Sequence, residues 1–358
     1  MNAHASLFGI ERSNRNFADP YYWGKNQFNS AFPVALACYM HSRGMPLVYV
    51  QYKDAQATHV GELGVDKLWG SDQPSESLYF SFETRFDAFR NLVHDDLPPI
   101  DLVVCAGDAA QQIRPLEVKL TTLPDNTTEA LDERQYGAEL VIRSATTRYM
   151  ALSMAQSVAT DLTKVRSIFE PVFARVRNWD SKVEMKNLAP AAVLALETFL
   201  NLYQPLQQPL LMQPLWKTVG KSSVLAEQCL DIFVWSDFAL AHLFLESARH
   251  SLTATGISRP LRAALRLSRF LFERASGAKV YQQPIYDGMT FDFQNDKEFA
   301  ISGMRSRGLM ACERLHRLAV SRSSIRDIVL GGGHTYLSPE RRFDAILYFS
   351  TDLFEVAP

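Results

Sequence analysis

Residues 100–119 have the sequence IDLVVCAGDAAQQIRPLEVK. A short apolar run rich in β-forming residues leads into a turn, and a second extended run follows it. Because side chains alternate between the two faces of a strand, Glu117 and Lys119 lie on one face and their apolar neighbours on the other. We predict an antiparallel hairpin centred near Ala109, in which the numbers of facing residues sum to 218.

This register places Asp101 across from Glu117. Facing residues of an antiparallel pair have Cβ atoms about 5 Å apart, so two carboxylates and the Lys119 ammonium crowd one small patch. Two like charges at that distance are unfavourable unless a cation lies between them. A hard divalent ion, Mg²⁺ above all, suits a site with few carboxylates and several waters. A lysine beside such an ion can activate a water and stabilise charge on a phosphate, so the pattern predicts phosphodiester hydrolysis.

The same segment resembles the PD-(D/E)XK nucleases, with Asp101 and residues 117–119 at the matching positions. It differs from that motif at two places. Ile100 precedes the first acid where the motif has proline, and Pro115 lies within the second strand. Proline cannot donate to a sheet ladder, so its presence predicts an edge strand or a bulge.

Two blocks of sequence resemble the HindVP family of type II restriction endonucleases. They are LEVKLTTLPDNTT at 116–128 and GKNQFNSAFPVALACYM at 24–40. The resemblance implies Mg²⁺-dependent cleavage of both DNA strands at a short palindrome, GRCGYC for this family, and 5′-phosphate ends. It also makes Asp101, Glu117 and Lys119 the catalytic set, with the two acids and the Val118 carbonyl as metal ligands. A palindromic target favours a homodimer with one active site for each strand.

The remaining pattern predicts an α/β (α+β) fold, with a PD-(D/E)XK core of mixed sheet flanked by helices. We expect helices at 27–41 and 82–94, and strands at 47–52, 100–105 and 114–123. Residues 130–274 have mostly helical spacing, interrupted by a loop at 203–213. Further strands are expected at 279–281, 289–293 and 343–349. The expected divisions are a nuclease core at 1–150, a helical region at 151–275 and a mixed α/β C-terminal region at 276–358.

Other residues have weaker claims to a role. Glu83, on the predicted helix at 82–94, is a possible additional acid, although a solvated charge on a helix face is the more common case. Residues 301–342 contain eight arginines and three acids, a local charge of +5, which suits contacts with phosphate or guanine. The candidate DNA contacts are Thr121, Thr122, Asn126, His334, Arg341 and Arg342.

Composition narrows the possible classes of protein. The 358 residues carry a formal net charge of -2, which excludes a basic nucleic-acid coat. There is no apolar run of membrane-spanning length and no secretory signal, and the four cysteines are far apart, so we expect a reduced, cytoplasmic protein. Gly220-Lys221-Ser222 lacks the earlier glycine of a phosphate-binding loop, so no nucleotide cofactor is expected.

Two alternatives remain at this point. A structure-directed repair or recombination nuclease with the same core would cut branched or nicked DNA irrespective of its sequence. A protein with a degenerated core would bind DNA without cutting it, although the intact acids and lysine argue against that reading.

Overall fold

The structure, a computed structural model, describes the central part of the chain and a few residues before it. The described residues are 10, 12–15, 31, 34, 37, 38, 47–52, 58–107, 110–119, 140–203, 210–213, 216–219, 222–225, 232–234 and 237–301. Within the helix expected at 27–41, all four described residues are helical and buried. The strand expected at 343–349 and almost all of the arginine-rich segment at 301–342 lie outside the described residues.

The strands are short, and they form two larger sheets and two strand pairs. Their bounds are β1 (Leu47–Tyr52), β2 (Thr58–Leu63), β3 (Leu78–Thr84), β4 (Ile100–Ala106), β5 (Gln111–Leu116), β6 (Val118–Lys119), β7 (Leu140–Arg143), β8 (Leu210–Gln213), β9 (Trp216–Val219), β10 (Ser222–Leu225), β11 (Ile232–Val234) and β12 (Lys297–Ile301). One sheet has the order β3-β4-β5 and the other the order β2-β1-β8-β11-β6, while β9 pairs with β10 and β7 with β12.

The hairpin predicted from residues 100–119 is present with the predicted register. Leu102 pairs with Leu116, Val103 with Pro115 and Val104 with Arg114. A bulge after Val104 shifts the register by one residue at the far end of the hairpin. Pro115 lies in β5, an edge strand of its sheet, as its missing N–H requires.

The sheets differ from the mixed sheet that the sequence predicted. All pairings among the twelve strands that the structure describes are antiparallel. The two parallel contacts are isolated bridges, Ser13 with Phe80 and Val93 with Val280. Parallel strands need a long crossover connection, whereas β4 and β5 are joined by a short turn that supports only antiparallel pairing.

Several helices pack around one central amphipathic helix, Arg259–Ser276. The helices are α1 (Val65–Trp69), α2 (Ser144–Ser157), α3 (Leu162–Phe173), α4 (Lys182–Tyr203), α5 (Asp237–His250), α6 (Arg259–Ser276) and α7 (Gln282–Asp287). Helix α6 begins where the Ser258 hydroxyl accepts the Leu261 N–H at 3.2 Å, with a proline in its first turn. It packs against α2, α3, α4 and α5, so its buried face lies at the centre of these helices.

A buried ion cluster joins α6 to β12. Glu298 of β12 is fully buried, and its carboxylate accepts hydrogen bonds from Arg262, at 3.0 Å, and from Arg266. The Arg262 guanidinium also donates to the Lys297 carbonyl at 2.7 Å. The Arg266 guanidinium donates to the Tyr286 and Gly288 carbonyls at 2.8 and 2.7 Å. Two cations thus share one carboxylate in a region without exposure to water.

The prediction of a helix at 82–94 is wrong. Phe82 lies in strand β3, and the chain then forms a short 3₁₀ turn at Asp87–Asn91. Phe82, Phe89 and Leu92 are buried as the helical spacing predicted. A strand followed by a turn buries the same apolar side chains as a helix would. The strand forms because β3 pairs along its length with β4, which satisfies its backbone hydrogen bonds.

Other predictions of secondary structure further along the chain are also wrong. Strands β8 to β11 interrupt the segment with helical spacing at 130–274, and β8 lies within the loop predicted at 203–213. Strand β7 precedes α2 within the helical pattern. The strand expected at 279–281 is reduced to the isolated bridge of Val280 with Val93. The strand expected at 289–293 is replaced by an irregular segment that follows α7. Met289, Phe291 and Asp292 have positive φ angles, which do not fit a strand.

A buried histidine on α5 predicts how stability depends on pH. His242 is 6% exposed, and burial, assisted by Arg249, lowers its pKa to about 4. The unfolded chain, with a pKa near 6.5, therefore binds more protons between pH 6.5 and 4, so stability falls as the pH is lowered through that window. In wild type this effect lowers the free energy of unfolding by on the order of 3 kcal/mol, and in His242→Gln it is expected to be absent.

The measurement is the free energy of unfolding in urea at several pH values between 7 and 4. His250→Gln on the same helix is the control, because the His250 side chain is 77% exposed. The prediction is contradicted if the free energy of unfolding falls equally steeply with decreasing pH in wild type and in His242→Gln.

Candidate active site

Three acidic residues form a row that begins in the three-stranded sheet and ends just beyond β5: Glu83, Asp101 and Glu117. The pairs Phe82 with Leu102 and Thr84 with Ile100 flank Glu83, so the register of β3 and β4 places Glu83 beside Asp101. On the other side of β4, the observed pairing ends at Leu102 with Leu116, so Asp101 and Glu117 are the next residues beyond the last pair. Asp101 and Glu117 are half-buried, whereas the Glu83 side chain is 48% exposed.

Asp101 is tied to the strand that follows Glu117. The backbone N–H of Val118 donates to Oδ2 of Asp101 at 2.9 Å. The carboxylate therefore reaches across from the start of β4 to the start of β6. This contact brings Asp101 to the Glu117–Val118 segment, as the sequence predicted.

Glu117 lies where the chain passes from one sheet to the other. Strand β5 ends at Leu116 in the first sheet, and β6 begins at Val118 in the second, where it pairs with β11. Leu116 and Val118 are both 6% exposed, so the alternation of faces predicted for this segment is confirmed for them. The Oε1 atom of Glu117 accepts a hydrogen bond from the Thr146 hydroxyl of α2 at 2.9 Å.

Arg15 brings positive charge to the row of acids. Its guanidinium lies 3.7 Å from the Glu83 carboxylate and 4.4 Å from the centre of the Phe82 ring. Burial lowers the pKa of Arg15 to about 10, while the negative charges of Glu83 and Asp101 act to raise it. Arg15 therefore stays charged at neutral pH and offsets part of the repulsion between the acids.

Glu83 differs from its predicted setting. It lies on strand β3 and has a φ angle of 50°, a conformation that is uncommon for residues other than glycine. Its carboxylate faces Arg15. Its role as an additional acid remains a prediction.

The other predicted site residues are described in part or not at all. The Lys119 backbone lies in β6 opposite Phe233, but its side chain is outside what the structure describes. All six candidate DNA contacts are outside the described residues: Thr121, Thr122, Asn126, His334, Arg341 and Arg342.

The donor set fits a hard cation with few protein ligands. In the part of the chain that the structure describes, no group of three or more His, Cys, Asp or Glu side chains is arranged to hold a metal ion. Mg²⁺ is usually bound by one or two carboxylates and keeps several waters. Asp101, which is bonded to the Val118 N–H, and Glu117, the residue before Val118, are two carboxylates that match that smaller set.

The sequence pattern did not indicate three residues outside the hairpin that contact these acids or the end of β5. These are Arg15, Thr146 and Tyr149, the last of which donates to the Pro115 carbonyl at 3.2 Å. Thr146 lies 29 residues from Glu117 along the chain. The serine and threonines at 144–147 are typical of a helix start, but no local pattern indicates a partner so distant.

Comparison with known proteins decides the family. The sequence model described as HindVP restriction endonuclease matches residues 23–354. The chain belongs to the HindVP restriction endonuclease family.

Two curated relatives cover nearly the full length of this HindVP-family chain. The type II restriction enzyme HgiDI of Herpetosiphon aurantiacus is 39% identical over 349 residues, which are 98% of this chain and 97% of the relative. The probable type II restriction enzyme HindVP of Haemophilus influenzae is 35% identical over 354 residues, 99% of this chain and 96% of the relative. No solved structure matches the chain. The resemblance identified from residues 24–40 and 116–128 is thereby confirmed.

Among the helices that the structure describes, none combines the length and the apolar character needed to cross a membrane.

Proposed function

We propose that this protein is a type II restriction endonuclease that hydrolyses both strands of DNA at a short palindromic site. Family membership supports the activity, and the hairpin register that brings Asp101 to the Glu117–Val118 segment supports the site. The arrangement is that expected of a PD-(D/E)XK core, which we propose for residues 1–150.

In this proposal Asp101, Glu117 and the Val118 carbonyl hold Mg²⁺. Such an ion, when bound there, would supply Lewis-acid chemistry toward the scissile phosphate and would make water a better nucleophile. The Val118 N–H fixes the Asp101 carboxylate. The Lys119 amine orients the attacking water and stabilises negative charge on the phosphate. Arg15 offsets the charge of the acids before the cation binds.

The details of the target belong to the same proposal. We propose GRCGYC as the recognised sequence and 5′-phosphates as the products. A two-fold symmetric target favours a homodimer, in which each protomer cuts one strand. The contacts with DNA are assigned to the turn after Lys119 and to the arginine-rich part of the region 276–358. The helical region 151–275, which also contains β8 to β11, is assigned to the dimer contacts and groove readout. A cytoplasmic location belongs to the same proposal.

Digestion of a sequenced plasmid tests this function. With Mg²⁺, the wild type is expected to give discrete bands whose ends map to one short palindrome. Lys119→Ala is expected to lose cleavage by about a hundredfold or more while keeping DNA binding, because it removes a group that acts on the transition state. Cleavage rates and gel-shift affinities are the two measurements.

Lys164→Ala is the matched control, because Lys164 is an exposed lysine on α3. Unchanged cutting by Lys119→Ala would refute the assignment of the lysine. Smearing in place of discrete bands would favour a structure-directed nuclease, and DNA binding without any cleavage by the wild type would favour a non-cleaving DNA-binding protein.

A further inference from the structure

One face of helix α2 contacts two alternate residues of the segment that carries Glu117. Thr146 donates its hydroxyl proton to Oε1 of Glu117 at 2.9 Å, and Tyr149 donates its own to the carbonyl of Pro115 at 3.2 Å. Thr146 and Tyr149 are three residues apart, so they lie on the same face of the helix. They are 3% and 4% exposed, which places both hydroxyl groups in the protein interior.

Both hydroxyl groups donate hydrogen bonds to this segment. Burial, together with the charges of Asp237 and Glu117, raises the pKa of Tyr149, so its hydroxyl stays protonated. A hydroxyl bonded to a carboxylate makes a charge-assisted hydrogen bond, which is shorter and stronger than a neutral one. Thr146 is also the third residue of α2, a 14-residue helix whose positive end therefore lies toward the carboxylate.

The position of Glu117 makes such an outside contact important. Glu117 lies between the last residue of β5 and the first residue of β6, at the junction of two sheets. A glutamate side chain has three rotatable bonds, and fixing them costs conformational entropy. Partners of a ligating carboxylate determine its orientation, and their loss typically lowers metal affinity by about 10–100-fold.

We propose that Thr146 is a positioning residue for metal binding, which holds the Glu117 carboxylate in its ligating orientation while Tyr149 holds the backbone at Pro115. This inference rests on the proposed function. Thr146 does not contact the substrate in this proposal and acts only through Glu117. The nearby Thr147 has no such role, because its hydroxyl donates to the Ser144 carbonyl within the helix.

The test compares Thr146→Val, Thr146→Ser and Thr147→Val with the wild type. The valine has the shape of threonine without the hydroxyl, and the serine keeps the hydroxyl. Mn²⁺ serves as the probe, and its binding to each DNA-free protein is followed by electron paramagnetic resonance of the free ion. Half-maximal Mg²⁺ concentrations for plasmid cleavage give the second readout, and thermal unfolding reports the fold.

Thr146→Val is expected to bind Mn²⁺ about tenfold more weakly and to need about tenfold more Mg²⁺. For Thr146→Ser and Thr147→Val, the Mn²⁺ affinity and the half-maximal Mg²⁺ concentration are both expected to remain within about twofold of the wild-type values. The proposal is overturned if Thr146→Val keeps wild-type Mn²⁺ affinity, or if Thr147→Val weakens binding as much.

Glu117→Ala separates this inference from the function on which it rests. If Glu117→Ala cuts DNA at the wild-type rate, the proposed active site is wrong, and the inference falls with it. If Glu117→Ala loses cleavage but Thr146→Val keeps wild-type Mn²⁺ binding and Mg²⁺ dependence, only the role of Thr146 is wrong.

Discussion

Asp101→Asn is expected to fold like the wild type and to lose at least about a thousandfold of its Mg²⁺-dependent cleavage rate. The amide oxygen of asparagine can still accept the Val118 N–H that Asp101 accepts at 2.9 Å. The negative charge needed to bind a divalent cation is lost. Metal catalysis contributes several kcal/mol of transition-state stabilisation, and each 1.36 kcal/mol is a factor of about ten in rate.

The measurement is the single-turnover rate on a plasmid with one site, at saturating enzyme. Asp87→Asn is the control, because Asp87 is an exposed aspartate paired with Arg90 at 2.9 Å near the same sheet. Asp101→Asn should also bind the cognate DNA at least as tightly as the wild type without Mg²⁺, since it removes a negative charge near the phosphates. Cleavage within tenfold of the wild-type rate would rule out Asp101 as a metal ligand.

Glu298→Gln is expected to lower the free energy of unfolding by about 3–5 kcal/mol, because it leaves two buried guanidinium groups without their shared carboxylate. Glu298, Arg262 and Arg266 are 0%, 1% and 2% exposed. Water therefore cannot replace the lost negative charge. The total free energy of unfolding of a protein is only about 5–15 kcal/mol. The substitution is therefore expected to remove a large fraction of the stability.

Urea denaturation followed by circular dichroism measures this effect. Glu273→Gln is the matched control, since Glu273 pairs with Arg269 on α6 at 2.6 Å but both side chains reach solvent. A partly exposed pair of this kind contributes about 0–1 kcal/mol. If Glu298→Gln and Glu273→Gln shift the denaturation midpoint equally, the buried cluster contributes no more than a surface ion pair.

The local part of the site could be predicted from the sequence. The β4–β5 hairpin is formed by neighbouring residues, and its alternation of apolar and polar side chains fixes both the faces and the register. The predicted pairing near Asp101 is therefore confirmed, from Leu102 with Leu116 to Val104 with Arg114.

The contacts made by distant segments could not be predicted in this way. Arg15 and Thr146 reach the acids from segments far along the chain, and no periodic pattern records such a contact. The error at 82–94 has a related cause, because the partner of β3 is β4. The phenylalanines have helical spacing, but this stretch forms a strand and a turn, because pairing with β4 stabilises the strand and the turn buries the remaining phenylalanines.

The position of Glu117 between two sheets has a consequence for the effects of substitutions in this chain. Each sheet is constrained by its own ladder, so substitutions within a strand disturb many pairings at once. Thr146, which bonds to the Glu117 carboxylate, lies instead on a helix outside both sheets. If Thr146 positions Glu117 as proposed, substitutions in α2 would change metal binding while the strand pairings of both sheets stay intact.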